Sequence, residues 1–134
     1  MIDLESPLFT AIATALRSDY PGIFVTGEHV PIPACFPAVS ITELDNATDR
    51  RTRTNSSDEQ FAEVMYEVNV YSNRTNGKKA EARTIIGTID DMLLKYGFER
   101  VMLQPIPNLD DATIYRMTGR YRAVVSSNLT IYRR

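Results

Sequence analysis

Between Phe61 and Tyr71 apolar and polar positions alternate: Val64, Tyr66, Val68 and Val70 fall on one side, Glu63, Met65, Glu67, Asn69 and Tyr71 on the other. That period of two predicts a central strand with one side on the core. From Lys78 the period changes. Ala82, Ile85, Ile86, Ile89, Met92, Leu93 and Tyr96 recur at helical spacing for about five turns, and Gly97 stands where a left-handed cap would end the helix. A shorter stripe, Leu8, Ile12, Ala15 and Leu16, follows Ser6-Pro7, a cap and first-turn pair, and stops at Tyr20-Pro21-Gly22.

The remaining segments read as strands and turns. Ile23 to Thr26 and Phe36 to Leu44 are β-branched or alternating. Val101 to Leu103 is a short strand cut by Pro105 and Pro107, and Thr113 to Val125 and Leu129 to Tyr132 are the last two. Asp45 to Gln60 loses its hydrophobic residues and reads as a long solvated loop. The predicted order is α-β-β-β-α-β-β-β: one α+β domain over residues 1–134, a mixed, mostly antiparallel sheet of about six strands with two helices on one face. Two helices cannot cover both faces of such a sheet, so the other face is left for solvent or a partner.

Composition narrows the function classes. Fifteen Lys+Arg against seventeen Asp+Glu give a formal charge of −2, so no whole-molecule field draws the chain to nucleic acid or an anionic membrane. The acidic start Met1-Ile2-Asp3-Leu4-Glu5 is unlike a signal peptide, and no apolar run approaches a membrane span. The chain is expected to stay in the compartment where it is made. Cys35 is the single cysteine, so no internal disulfide forms; its neighbours Ala34 and Phe36 predict a buried or half-buried thiol. Four Asn-x-Ser/Thr sequons, at Asn46, Asn55, Asn73 and Asn128, read as turn-rich polar sequence.

Chemistry-bearing residues are sparse. His29 and Cys35 sit in a Pro-broken loop with nothing to orient the imidazole. Asn76-Gly77-Lys78-Lys79 opens a helix as a phosphate cradle does, but the Walker spacing is absent and a plain strand-to-helix turn is the simpler reading. Asp90-Asp91 reads as a solvated helix face and Asp110-Asp111 as a turn. No cofactor, metal site or catalytic residue is expected. Arg50, Arg51 and Arg53 gather in the long loop, and Arg116, Arg120 and Arg122 alternate with Tyr115 and Tyr121 near the C-terminus. Basic residues interleaved with aromatics can bind single strands, yet Arg120 and Arg122 share a side that Tyr121 does not. Arg and Tyr are also enriched in protein interfaces, and subunit contact is the reading preferred.

One series of motifs carries a resemblance across most of the chain. It runs Tyr20-Pro21-Gly22, Phe36-Pro37-Ala38-Val39-Ser40-Ile41 with Glu43, Val68-Asn69-Val70-Tyr71-Ser72-Asn73, Gly77-Lys78-Lys79-Ala80, Tyr96-Gly97-Phe98, Pro107-Asn108, Tyr115-Arg116 and Gly119-Arg120-Tyr121. In this it resembles the tail-completion or tail-terminator proteins of long-tailed bacteriophages and, more loosely, other head-to-tail joining proteins. The resemblance implies a structural virion protein, made in a bacterial cytoplasm, whose copies form a ring, usually of six, that caps the tail-tube protein and meets a neck or head-completion protein. The alternatives are a neck protein closing the head portal and, further off, a nucleic-acid-binding module; no enzyme, membrane contact or sequence-specific nucleic acid is implied. A ring contact needs two different complementary patches. The expected acidic one is Glu63 and Glu67, or the Asp90 and Asp91 helix face; the expected basic one is the strand bearing Arg116, Arg120, Tyr121 and Arg122. The Asp45 to Gln60 segment, with Arg50, Arg51 and Arg53, is expected to be an arm that orders on meeting tube subunits or the next ring.

Overall fold

A computed structural model describes residues 1–29, 33, 35–48, 61–107 and 111–132, with only the backbone of 132. Its elements are α1 (Glu5–Asp19), β1 (Phe24–Thr26), β2 (Ala38–Thr48), β3 (Phe61–Ser72), α2 (Lys78–Tyr96), β4 (Glu99–Pro107), β5 (Tyr115–Ser126) and β6 (Ile131–Tyr132). The class is α+β, in the element order expected. The sheet runs β1-β2-β3-β5-β4, and β6 joins the β4 side of β5 at Val124 and Val125. The β1 to β2 pairing is parallel; all the others are antiparallel.

Both helices lie on one face. Leu8, Ile12, Ala13 and Leu16 of α1 and Ala82, Ile85, Ile86, Ile89 and Leu93 of α2 join Val64, Tyr66, Val68 and Val70 of β3 in one apolar cluster. In α1 Ala13 is buried, and Ala15, expected on the stripe, is half-buried. Tyr20 ends α1, and its hydroxyl meets Thr88 Oγ1 at 2.9 Å, tying the two helices together. At the other helix end Gly97 takes φ 109°, and Phe98 N–H donates to Leu93 O at 2.9 Å. That cap turns the chain so that Phe98 buries against Tyr66, edge to face at 5.9 Å.

The structure departs from the sequence reading at several places. The α1 helix begins at Glu5 after Leu4, without a side-chain cap from Ser6; Asp3 Oδ1 accepts the Glu5 N–H instead. Asp45 to Thr48 is strand, not loop: a bulge between Glu43 and Asp45 shifts the register, leaves Leu44 exposed and lets the polar end of β2 pair with β3. Residues 49–60 lie outside the described residues. The β4 strand continues through Pro105 and Pro107. Among the described residues it pairs on one side only, with β5, and an edge strand tolerates prolines that lack an N–H. Cys35 is exposed, because it sits in a bend three residues before β2 and has no strand face to alternate onto.

Candidate functional site: the charged sheet face

The face away from the helices is built by the alternate residues of β3 and β5. Antiparallel register places Glu67 opposite Arg120, Met65 opposite Arg122, Asn69 opposite Thr118 and Tyr71 opposite Arg116. Side chains opposite each other on one face of a sheet meet. Arg120 Nε donates to Glu67 Oε2 at 3.0 Å, and Arg116 lies 3.9 Å from the other oxygen. Arg116 Nε also donates to Asn69 Oδ1 at 2.8 Å, as Thr118 Oγ1 does at 2.6 Å, while Asn69 Nδ2 donates to Glu67. The Arg116 guanidinium stands over the Tyr71 ring, 5.8 Å from its centre. One strand further, Arg122 donates to Glu99 of β4 at 2.9 Å and lies 3.6 Å from Glu63.

This lattice corrects the expected pairing. Glu63 and Glu67 do not form an acidic patch remote from the basic strand, because β3 and β5 are neighbours and their acids and arginines pair within one subunit. What remains is a plane of three carboxylates and three guanidiniums, with Arg120 about half exposed and Asn69 and Thr118 buried beneath it. Its order suits a preformed contact surface, and its internal cancellation leaves few free cations for a phosphate backbone.

Asp90 and Tyr121 move elsewhere. Tyr121 faces the helices, fully buried, and its hydroxyl donates to Asp90 Oδ1 at 2.7 Å. Asp90 is itself buried and accepts Arg100 Nη1 at 3.1 and 3.2 Å, so it is not part of a solvated face. The sequence carried the signal: position 90 is four after Ile86 and three before Leu93, inside the apolar stripe. Asp91 is exposed as expected. Sequence reasoning also missed Glu99 and Arg100, whose roles depend on where β4 docks. Arg50, Arg51 and Arg53 lie outside the described residues.

The other candidates are quieter. Before α2 a groove of about 540 Å³ includes Tyr20, Arg74, Gly77 and Glu81. Ser72 and Arg74 engage Glu81 there, and Lys78 reaches the Thr113 carbonyl, so a carboxylate stands where an anion would bind. Asp111 accepts the Thr113 N–H and hydroxyl, which hold its carboxyl below the usual range, as turn chemistry requires. Among the described residues no group of His, Cys, Asp and Glu could hold a metal, and no described helix is long and apolar enough to cross a membrane. The chain matches no protein-family model, and no curated protein proves similar to it.

Proposed function

We propose that this chain is a tail-completion protein of a long-tailed bacteriophage: a subunit whose copies close into a ring, usually of six, that caps the finished tail tube and offers a surface to the neck of the head. The motif series supports this reading, and the sheet face carries it furthest. A pre-ordered layer of Arg, Glu and Asn side chains loses little rotamer freedom on contact, which favours protein docking over turnover of a small molecule. The same face opposes a nucleic-acid role, since Arg116, Arg120 and Arg122 each have a carboxylate partner within the subunit.

The test is binding to tubes assembled from the cognate tail-tube protein, followed by co-sedimentation. A terminator binds in proportion to the number of tube ends, so shearing the tubes raises the amount bound while tube mass stays constant. Binding that follows tube mass, or none at all, would contradict the proposal.

A further inference from the structure

The turn that opens α2 holds a reactive pair that the charged sheet face does not use. Asn76 is exposed and lines the groove of about 540 Å³ before the helix, and Gly77 follows it as the N-cap, with φ 85°. An asparagine side-chain amide is an electrophile within reach of the main-chain nitrogen of the next residue. Attack is favoured where that residue has no side chain to shield the nitrogen, where its N–H is not held in a hydrogen bond, and where a ring has room to form. Asn76-Gly77 meets each condition. Glycine has no Cβ, and a Cβ built at Gly77 would meet no atom within 4 Å. Glu81 N–H donates to Gly77 O at 2.9 Å, so the helix engages the carbonyl of this glycine; among the described residues neither its N–H nor the Asn76 side chain has a hydrogen-bond partner.

The other described asparagines each fail a condition. Asn69 is buried, bonds to Glu67, Arg116 and Thr118, and precedes Val70 inside β3. Asn46 donates its amide to Ile2 O and Glu43 and precedes Ala47 inside β2. Asn73 and Asn128 are exposed, but the nitrogen that would attack is engaged: Arg74 N–H donates to Ser72 Oγ at 3.4 Å, and Leu129 N–H to Ser126 O at 2.9 Å.

We propose that Asn76 is a site of spontaneous deamidation. The Gly77 nitrogen, having given its proton to hydroxide, forms a bond to Cγ of Asn76; the Cγ–Nδ2 bond breaks, and the nitrogen takes a proton from water and leaves as ammonia. The succinimide that results is opened by water at either carbonyl, to aspartate or to isoaspartate. No oxidant, cofactor or second protein enters. Aspartate keeps the main chain and adds a carboxylate where α2 presents its positive end. Isoaspartate routes the main chain through the side-chain carbon, which adds a methylene before Gly77 and draws its carbonyl away from the Glu81 N–H. The site lies at the start of α2, on the helix side of the sheet, and does not depend on the ring reading.

The test is incubation of the folded full-length protein and of Asn76→Gln at mildly alkaline pH, with peptide mapping by mass spectrometry at intervals and Asn76→Asp as the standard for one product. Wild type should gain an acidic species on ion exchange, with the mass change in the peptide that holds residue 76. Conversion there should run roughly tenfold or more faster than at Asn73 or Asn128, whose following residues carry side chains, and should quicken as pH rises, since the nitrogen must lose its proton. Asn76→Gln, whose longer side chain would need a larger ring, should lose that change. An Asn76 that stays an amide in the folded protein while it converts in urea-unfolded protein would overturn the proposal, and so would Asn73 or Asn128 converting first. The isolated isoaspartate form should have a lower thermal midpoint than fresh protein; an equal midpoint would overturn the effect on α2.

Discussion

A methyl group added at Gly119 would stand 2.9 Å from Cε2 of Tyr121 and 3.1 Å from its hydroxyl oxygen. Two residues apart on one strand face, the glycine makes room for the ring, and the ring cannot withdraw because Asp90 holds its hydroxyl. Gly119→Ala is therefore expected to cost about 1 to 3 kcal/mol, the usual range for overpacking, measured by urea denaturation. The sequence showed Gly119-Arg120-Tyr121 as a motif without showing why; the reason needs α2 packed over β5. Burial raises the phenol pKa of Tyr66, Tyr71 and Tyr121 above the ordinary 10.0, with the Glu43 and Asp90 carboxylates adding to the effect at Tyr66 and Tyr121. Folded values above the unfolded one mean that this stability is complete below the unfolded phenol's pKa and is lost as pH rises past it. The denaturation midpoint should fall steeply in that alkaline range, and Tyr121→Phe should fall less steeply. An equal slope in both would contradict the assignment.

At the scale of elements, strands and helices with a strong period were legible and boundaries set by partners were not. The β3 alternation and most of the α2 stripe appear in the structure, because each buries a continuous face, although Tyr96 at the end of the stripe is exposed and Asn69 and Tyr71 on the outer side of β3 are buried too. The end of β2 was misread as loop because Asp45 to Thr48 is polar; its pairing with Met65 to Ala62 gives those residues strand geometry without hydrophobicity. Likewise the prolines of β4 looked like a stop, but an edge tolerates them. Helix α2 also carries an internal glycine, Gly87, where an added Cβ would meet nothing within 4 Å. Gly87→Ala should raise stability by about 0.5 to 1 kcal/mol through the helix preference of alanine alone. Thermal denaturation of the variant checks this, and a loss of stability would show a neighbour that the fold does not reveal.

For the molecule as a whole, the candidate face was half legible. The sequence placed Glu63 and Glu67 together and Arg116, Arg120 and Arg122 together, yet it could not say that the two sets were neighbours, since strand order is not written in alternation. Their pairing makes a testable claim about the single subunit. Arg120→Glu sets two carboxylates side by side at Glu67, and the isolated protein should lose roughly 1 kcal/mol, the scale of partly exposed ion pairs. Adding Glu67→Arg should restore most of it in a double-mutant cycle. Cycle energies near zero would mean that the lattice contributes nothing to the fold. The central claim is the proposed ring. Electron microscopy of the protein mixed with the proposed tail-tube partner tests it most directly: a closed ring with rotational symmetry should sit on one end of each tube and block its growth. Tubes bare at both ends and growing freely, with the protein dispersed as single subunits, would contradict it.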